Sequence, residues 1–307
     1  MRFEDALHLA GLMPKSVIAD DRWHRCPTEN KPRKRNGAYR LAHDGRIGWF
    51  RDWAMSDGVQ TWRSGEESEI RRIDPAQLRA ARERERARRI AAMRGARQFW
   101  ADARPMKELH PYLAGKRLTA QGCAGLRVSG ELLTVPVWNG EWIVSVQTIA
   151  EDGQKRFWPG VPVKAGCYVI ERKGAALTVI CEGLATGLAV FQSMRSARVV
   201  VCFDAGNMLP VVERIKPAGA VVIAADNDHE TAGRIGVNPG IKKAQEAAQV
   251  VGCGIAYPEG IQGSDWADAL IEWAAEPVSR WAKPLLPHRR IERLIQAQLA
   301  AQEVCRG

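Results

Sequence analysis

No stretch of this 307-residue chain approaches the run of about 18 apolar residues that a membrane-spanning helix needs. Its N-terminal MRFEDALHLAGLMPK carries acids inside the only apolar piece there, so no membrane association is expected. The seven cysteines, Cys26, Cys123, Cys167, Cys181, Cys202, Cys253 and Cys305, include no CxxC pair and follow no regular spacing. That excludes a disulfide framework and points to a reduced, soluble, cytoplasmic protein. No GxxxxGK[ST] run occurs; the AGKR at Ala114 to Arg117 lacks both the leading glycine spacing and the hydroxyl residue of a phosphate loop. Acid is scarce relative to base, with 35 Asp and Glu against 45 Lys and Arg, which leaves a net charge of +10. Lys and Arg gain free energy by displacing counterions from phosphates, so this excess favours nucleic acid over an acidic small molecule as partner.

What is present suffices for a core, at 46% hydrophobic residues and a length fit for two or three compact units. Residues 1–66 are rich in Trp, Gly and base, with short apolar pieces between turn signals at His43-Asp44-Gly45 and Ser56-Asp57-Gly58, which predicts a small β-rich module. Residues 67–104 follow as an Arg-rich helical linker, opened by Asp74 as N-cap and Pro75 at the first helical position. It has no broad apolar stripe, and Arg79 with Glu83 and Glu85 with Arg89 can pair at i, i+4, as expected of a solvated spacer. Its many arginines leave a nucleic-acid contact open as well. Residues 105–175 read as hairpins, ELLTVPVW, EWIVSVQTI and KRFWPG, joined at Asn139-Gly140 and Asp152-Gly153.

From 176 to 283 apolar strands alternate with helices: LTVIC, LATGLAVFQSM, RVVVCF, MLPVVERIK, AVVIAA, GIKKAQEAAQVV and CGIAYP. Nearly continuous apolar strands predict an α/β fold with a largely parallel sheet covered on both faces. Residues 284–307 read as a C-terminal helix of unassigned role. In such sheets ligands bind beyond the carboxyl ends of the strands. Glu182 directly follows LTVIC, and Asp226 and Asp228 directly follow AVVIAA. Any one of these residues is unremarkable, since Asp and Glu often cap helices and form turns. Three converging on one edge outline a site for a hard divalent cation that leaves coordination positions for phosphate.

These motifs, CEGLATGLAVFQ, AADND and NPGIKKAQEAA, resemble the Toprim domain of bacterial primases, topoisomerases and some nucleases. The resemblance implies that Glu182, Asp226 and Asp228 are the catalytic metal site. Upstream, HPYLAGKRLT and LTVPVWNGEWIVSVQTIAEDGQKRFWPG resemble the basic subdomain that precedes Toprim in primases, and downstream GSDWADAL resembles its later acidic segment. The resemblance thus covers residues 105–276, is closest to primases of phages and conjugative plasmids, and adds Asp265 as a metal-supporting residue, with Asp268 second. It implies primer synthesis on single-stranded DNA from nucleoside triphosphates, with Mg²⁺ (Mn²⁺ substituting) as cofactor. It also implies a separate replicative helicase as partner, because a phosphate loop is lacking. Lys155 and Arg156 match the KR step of the basic subdomain and would neutralise phosphates, or else form a solvated hairpin turn.

The N-terminal module departs from the zinc ribbon of many such primases. It offers only His24, Cys26 and His43 as good ligands, and no zinc site is expected. Its Arg33, Lys34 and Arg35, beside Tyr39, Trp49 and Trp53, suit single-stranded DNA, although the aromatics can equally be the module's core. The alternatives are a Toprim nuclease, which uses the same metals to activate water, and a non-catalytic DNA-binding replication protein. A topoisomerase is disfavoured because Tyr39, Tyr112, Tyr168 and Tyr257 lie in no recognisable cleavage module.

Overall fold

A computed structural model describes residues 1–53, 58–64, 75–276 and 286–306. The expected cap at Asp74 and the turn residues Ser56 and Asp57 lie outside them. Two compact units, Met1–Ala81 and Arg82–Gly307, each build their own core.

The first unit opens with helix α1 (Phe3–Leu9), followed by β1 (His24–Cys26), β2 (Gly37–Leu41), β3 (Ile47–Asp52) and β4 (Gln60–Arg63) in one antiparallel sheet of order β1-β2-β3-β4. Helix α1 is too short for its period to stand out in the sequence. It forms because Phe3, Ala6 and Leu7 fall on one face and bury, while the Asp5 side chain accepts a hydrogen bond from the Arg2 N–H at 3.0 Å. Phe3 packs against Tyr39, Phe50 and Trp62 with ring centroids 5.3 to 6.2 Å apart, and Gly48 leaves its ring room that no larger residue would.

The second unit contains two further sheets. It begins within helix α2 (Pro75–Asp102), which is solvated through its arginine-rich middle, where Glu85 pairs with Arg89 at 3.1 Å. Its last turns are not a spacer: Ala96 is fully buried, Phe99 lies 5.2 Å from Trp158, and Arg97 donates to the Ile143 carbonyl at 2.8 Å. The small pair Gly95-Ala96 is what lets the helix approach a sheet, a face too narrow to read as an apolar stripe.

That sheet is antiparallel, in the order β5 (Arg104–Pro105), β6 (Arg127–Ser129), β7 (Leu132–Asn139), β8 (Trp142–Ile149), β9 (Lys155–Phe157), with the short helix α3 (Pro111–Gly115) between its first two strands. Gly140 and Gly153 turn the hairpins with φ of 61° and 84°, a region that favours glycine.

The third sheet has the order β10 (Tyr168–Ile170), β12 (Ala197–Val201), β11 (Leu177–Cys181), β13 (Ala220–Ala224), β14 (Gly254–Ala256). Its last four strands are parallel and β10 is an antiparallel edge. Helices α5 (Ala205–Ile215) and α7 (Pro239–Val251) cover one face. Helices α4 (Leu184–Ser193), α8 (Trp266–Ala275) and α9 (Pro287–Arg306) cover the other, and α6 (His229–Ile235) follows β13. Alternate residues serve the two faces: Val179, Cys181, Val199 and Val201 join the α4 side, Ile180, Val200 and Cys202 the α5 side. All five residues of β11 are buried, which is why it reads as an unbroken apolar run. The face on the α4 side also buries Leu133, Val135, Val137 and Ile149 of the antiparallel sheet, and backbone hydrogen bonds between Trp138 and Cys167, at 2.8 and 2.9 Å, tie the two sheets together.

In the first unit the three candidate zinc ligands have other partners or surroundings. His24 pairs with Asp20 at 2.8 Å, His43 with the Ala19 carbonyl at 3.0 Å, and Cys26 lies in the core, where burial pushes its thiol up to about 11 and so disfavours the thiolate a metal needs. Phe3, Ala6, Leu7, Leu12, Tyr39, Leu41 and Phe50 form an apolar core in this unit. Prolonged chelation should leave amide-exchange protection in β2 and β3 unchanged, whereas Phe3→Ala should reduce it by about 3 to 5 kcal/mol.

Candidate active site

The parallel ladder runs in step, so Cys181 is paired with both Val201 and Ala224. The three strands end at one level, and the residues just past them share one edge. Glu182 follows β11, Asp204 follows β12, and Asp226 and Asp228 follow β13. Two backbone bonds fix the edge: Cys202 N–H donates to the Cys181 carbonyl at 2.8 Å and Phe203 N–H to the Glu182 carbonyl at 2.6 Å. Phe203 sits in the left-handed region at φ 69°, a costly conformation for an aromatic residue, and its ring meets Phe157 edge-on at 5.9 Å.

The Asp226-Asn227-Asp228 loop is tied down by its middle residue. Asn227 donates through its side chain to the Pro258 carbonyl at 2.8 Å and accepts from Asn238 at 2.9 Å. Trp266, fully buried, donates its indole N–H to the Ala225 carbonyl at 3.0 Å. Gly240, in the first turn of α7, comes so close to this loop that a β-carbon there would lie 2.6 Å from the Asp226 carbonyl oxygen and 3.1 Å from the Asp228 carboxylate. Asp228 is the N-cap residue of α6 but makes no capping hydrogen bond, so its carboxylate is not engaged by that helix.

The electrostatics follow from this crowding. Burial, and then the charges of Asp204 and Asp228, push the Glu182 carboxyl up to about 7, against the pull of Lys155. Asp226 is raised well above the carboxylate range, first by burial and then by Glu182 and Asp265, while a 2.8 Å hydrogen bond donated by the buried Thr186 hydroxyl works the other way. Asp265 caps α8 and accepts from the Asp268 N–H at 2.8 Å.

Of the residues singled out from sequence, Glu182, Asp226, Asp228 and Asp265 thus act on one another, and Lys155 joins them, its ammonium 3.8 Å from the position a Gly183 β-carbon would take. Arg156 does not. Lys155 and Phe157 are paired with Ile149 and Gln147, and Arg156, on the opposite face, with Thr148. Three contributors escaped sequence reading. Asp204 carried a usable signal, since it directly follows the apolar run RVVVCF as Glu182 follows LTVIC. Thr186 and Lys116, which bonds Asp265 and Asp268, carried none, because their roles depend on partners distant in sequence.

Arg33, Lys34 and Arg35 belong to the other unit, exposed between β1 and β2. There the aromatics divide by strand alternation. Tyr39 and Phe50 are buried in the core. On the other face Arg25 pairs with Ala38, Ala38 with Arg51, and Arg40 with Trp49 across the strands. Guanidinium groups cover the indoles there: Arg40 over Trp49 at 5.0 Å, and Arg51 and Arg25 over Trp53 at 3.3 and 5.1 Å.

Among the described residues no three His, Cys, Asp or Glu side chains form a ready-made metal cage. The donor set nevertheless fits a hard cation, because it consists of carboxylates raising one another's pKa, and Mg²⁺ is typically held by one or two carboxylates, with water and substrate phosphate completing its shell. No helix among the described residues is long and apolar enough to cross a membrane.

Residues 177–276 match the family of the Toprim domain. The chain is 30% identical over 288 residues to a DNA primase TraC of Escherichia coli, a match covering 83% of this chain and 19% of that protein. A second DNA primase TraC of the same organism is 31% identical over 261 residues, covering 78% and 24%. The chain therefore spans about a fifth to a quarter of the length of these relatives. Among solved structures it is similar to the primase fragment of the bacteriophage T7 primase-helicase protein, with TM-score 0.41, 15% identity and coverage of 62% and 74%. It is also similar to a DnaG primase catalytic domain bound to ssDNA, with TM-score 0.43, 10% identity and coverage of 72% and 84%.

Because the folded pKa of Glu182 lies above its ordinary 4.5, the cation-free protein holds extra protons and loses stability as pH rises from there through about 7. A divalent cation competes with those protons. Mn²⁺ should therefore raise the thermal midpoint more at pH 8 than at pH 5. Asp226→Asn should remove that gain while raising the cation-free midpoint by about 2 to 4 °C per kcal/mol of repulsion relieved. Equal Mn²⁺ shifts at both pH values would contradict a carboxylate site.

Proposed function

We propose that this chain, which carries a Toprim domain and resembles plasmid primases over most of its length, is a DNA primase that makes short primers on single-stranded DNA. The observation that carries the reading is the meeting of Glu182, Asp226 and Asp228 at one sheet edge inside the Toprim segment, with Lys155 beside them.

Mg²⁺, or Mn²⁺ in its place, would supply Lewis-acid neutralisation of the incoming triphosphate and lower the pKa of the attacking 3′-hydroxyl. Asp226 and Asp228 would hold the cation, with Asp265 contributing to the field around it. Lys155 would neutralise a phosphate oxygen at the same edge. Glu182, with its carboxyl pushed up to about 7, is suited to accept the proton of the 3′-hydroxyl near neutral pH. The template would be gripped electrostatically, by the exposed Arg33, Lys34 and Arg35 and by the guanidinium-indole face of the first unit. Arg156, on the outer face of β9, is suited to backbone contact rather than to chemistry. Strand opening would come from a helicase outside these residues.

A labelled-nucleotide assay on single-stranded template with Mg²⁺ tests this directly. The expected product is a ladder of short primers, abolished by Asp226→Asn or Asp228→Asn with the far-ultraviolet circular dichroism unchanged. Degraded template would indicate a nuclease, and binding without either product a non-catalytic DNA-binding protein. Template affinity should also fall steeply with salt, with a log-log slope near −0.7 per phosphate contacted. Arg25→Ala with Arg51→Ala should make that slope shallower by about one to two contacts.

A further inference from the structure

Lys116 stands where two segments far apart in sequence meet. It is the C-cap of α3, followed by Arg117 in the left-handed region at φ 54°. The segment before it is firmly anchored: the His110 imidazole accepts from the Tyr112 N–H at 3.2 Å, its other nitrogen bonds the Glu131 carbonyl at 2.9 Å, and Leu113 is fully buried. From this base the ammonium donates to Asp265 Oδ2 at 3.1 Å and to Asp268 Oδ1 at 2.5 Å.

Both carboxylates are locked from the other side. Asp265 Oδ1 accepts from the Asp268 N–H at 2.8 Å, and Asp268 Oδ2 accepts from the Ser264 and Asp265 N–H groups at 3.3 and 3.4 Å. Gly263 packs directly against the Asp268 side chain. The oxygens left over form a two-carboxylate bite, and the ammonium fills it. The three side chains are only 20 to 27% exposed, so solvent screens them weakly. The same pair of oxygens offers the donors that a hard divalent ion takes at about 2.0 to 2.1 Å, a few tenths of an ångström of adjustment away.

Building on the metal-dependent reading above, we propose that Lys116 is a built-in counter-cation, which neutralises Asp265 and Asp268 in the nucleotide-free protein and denies this limb of the acidic edge a divalent ion of its own. Asp265 then influences the Asp226 edge through its field, with one of its oxygens committed to the lysine. A lysine serves here where an ion would not, because it arrives tethered to the antiparallel sheet and so fastens that sheet to the start of α8. Removing its charge leaves two oriented, partly buried carboxylates uncompensated, and such a pair recruits a cation.

The test is Mn²⁺ binding by the 307-residue chain without nucleotide, followed by the electron paramagnetic resonance of free Mn²⁺, in an Asp226→Asn background that disables the site at the strand ends. Lys116→Met and Lys116→Gln in that background should each gain one bound Mn²⁺, with affinity at least tenfold above the Asp226→Asn parent. Lys116→Arg, which keeps the charge, should bind like the parent. Met and Gln variants that bind no more tightly than the parent overturn the proposal. If both unfold in chelator, the melting transition decides: Mn²⁺ should restore it, and failure to do so overturns the proposal equally. The metal site itself is judged separately, since wild type and Asp226→Asn binding Mn²⁺ alike would refute the Asp226 assignment whatever Lys116 does.

Discussion

The site depends on the in-step register of the parallel ladder. Leu177 is paired with both Ala197 and Ala220, and Cys181 with both Val201 and Ala224. A slip of one residue would turn each strand's side chains to the opposite face and carry Glu182 out of line with Asp226. The register is held because both faces of β11 are buried, so every residue of Leu177–Cys181 has a packing reason to stay where it is. Acids that follow such strands have nowhere to go but a common edge.

Such an edge is expensive for the cation-free protein. Burial and mutual repulsion raise Glu182 and Asp226, and the chain answers with a few fixed counterweights: the Thr186 hydroxyl, the charge of Lys155, and Lys116 on the limb formed by Asp265 and Asp268. Lys155 begins β9 of the antiparallel sheet, and Lys116 caps α3, the helix inserted between the first two strands of that sheet. Its packing on the parallel sheet is thus part of the site's charge balance as well as of its core. Residual strain of this kind is characteristic of sites whose structure is set by chemistry rather than by stability.

The first unit solves a different problem. A four-stranded sheet with one helix has two faces and little volume, and strand alternation gives them opposite characters. Phe3, Tyr39 and Phe50 make a core on one side, and arginines covering Trp49 and Trp53 make a charged aromatic surface on the other. The guanidinium groups keep the indoles from forming a bare apolar patch.

The sequence by itself determined a good deal. The apolar runs located β11, β12 and β13, Asn139-Gly140 and Asp152-Gly153 located the hairpin turns, and the position of acids directly after two strands located Glu182, Asp226 and Asp228. These features are local, set by periodicity, turn geometry and the handedness of β-α-β connections, and so they can be read from neighbours in the chain. Asp204 was legible by the same rule and went unread. What only the tertiary structure decided is nonlocal. Tyr39 and Trp49 differ in burial because of the face of the sheet each occupies. Ala96 is buried because a sheet happens to lie against its helix. Lys155 joins the carboxylates and Arg156 does not because β9 presents them on opposite sides. Lys116 meets Asp265 and Asp268 across 149 and 152 residues of chain, and no periodicity encodes a partner at that distance.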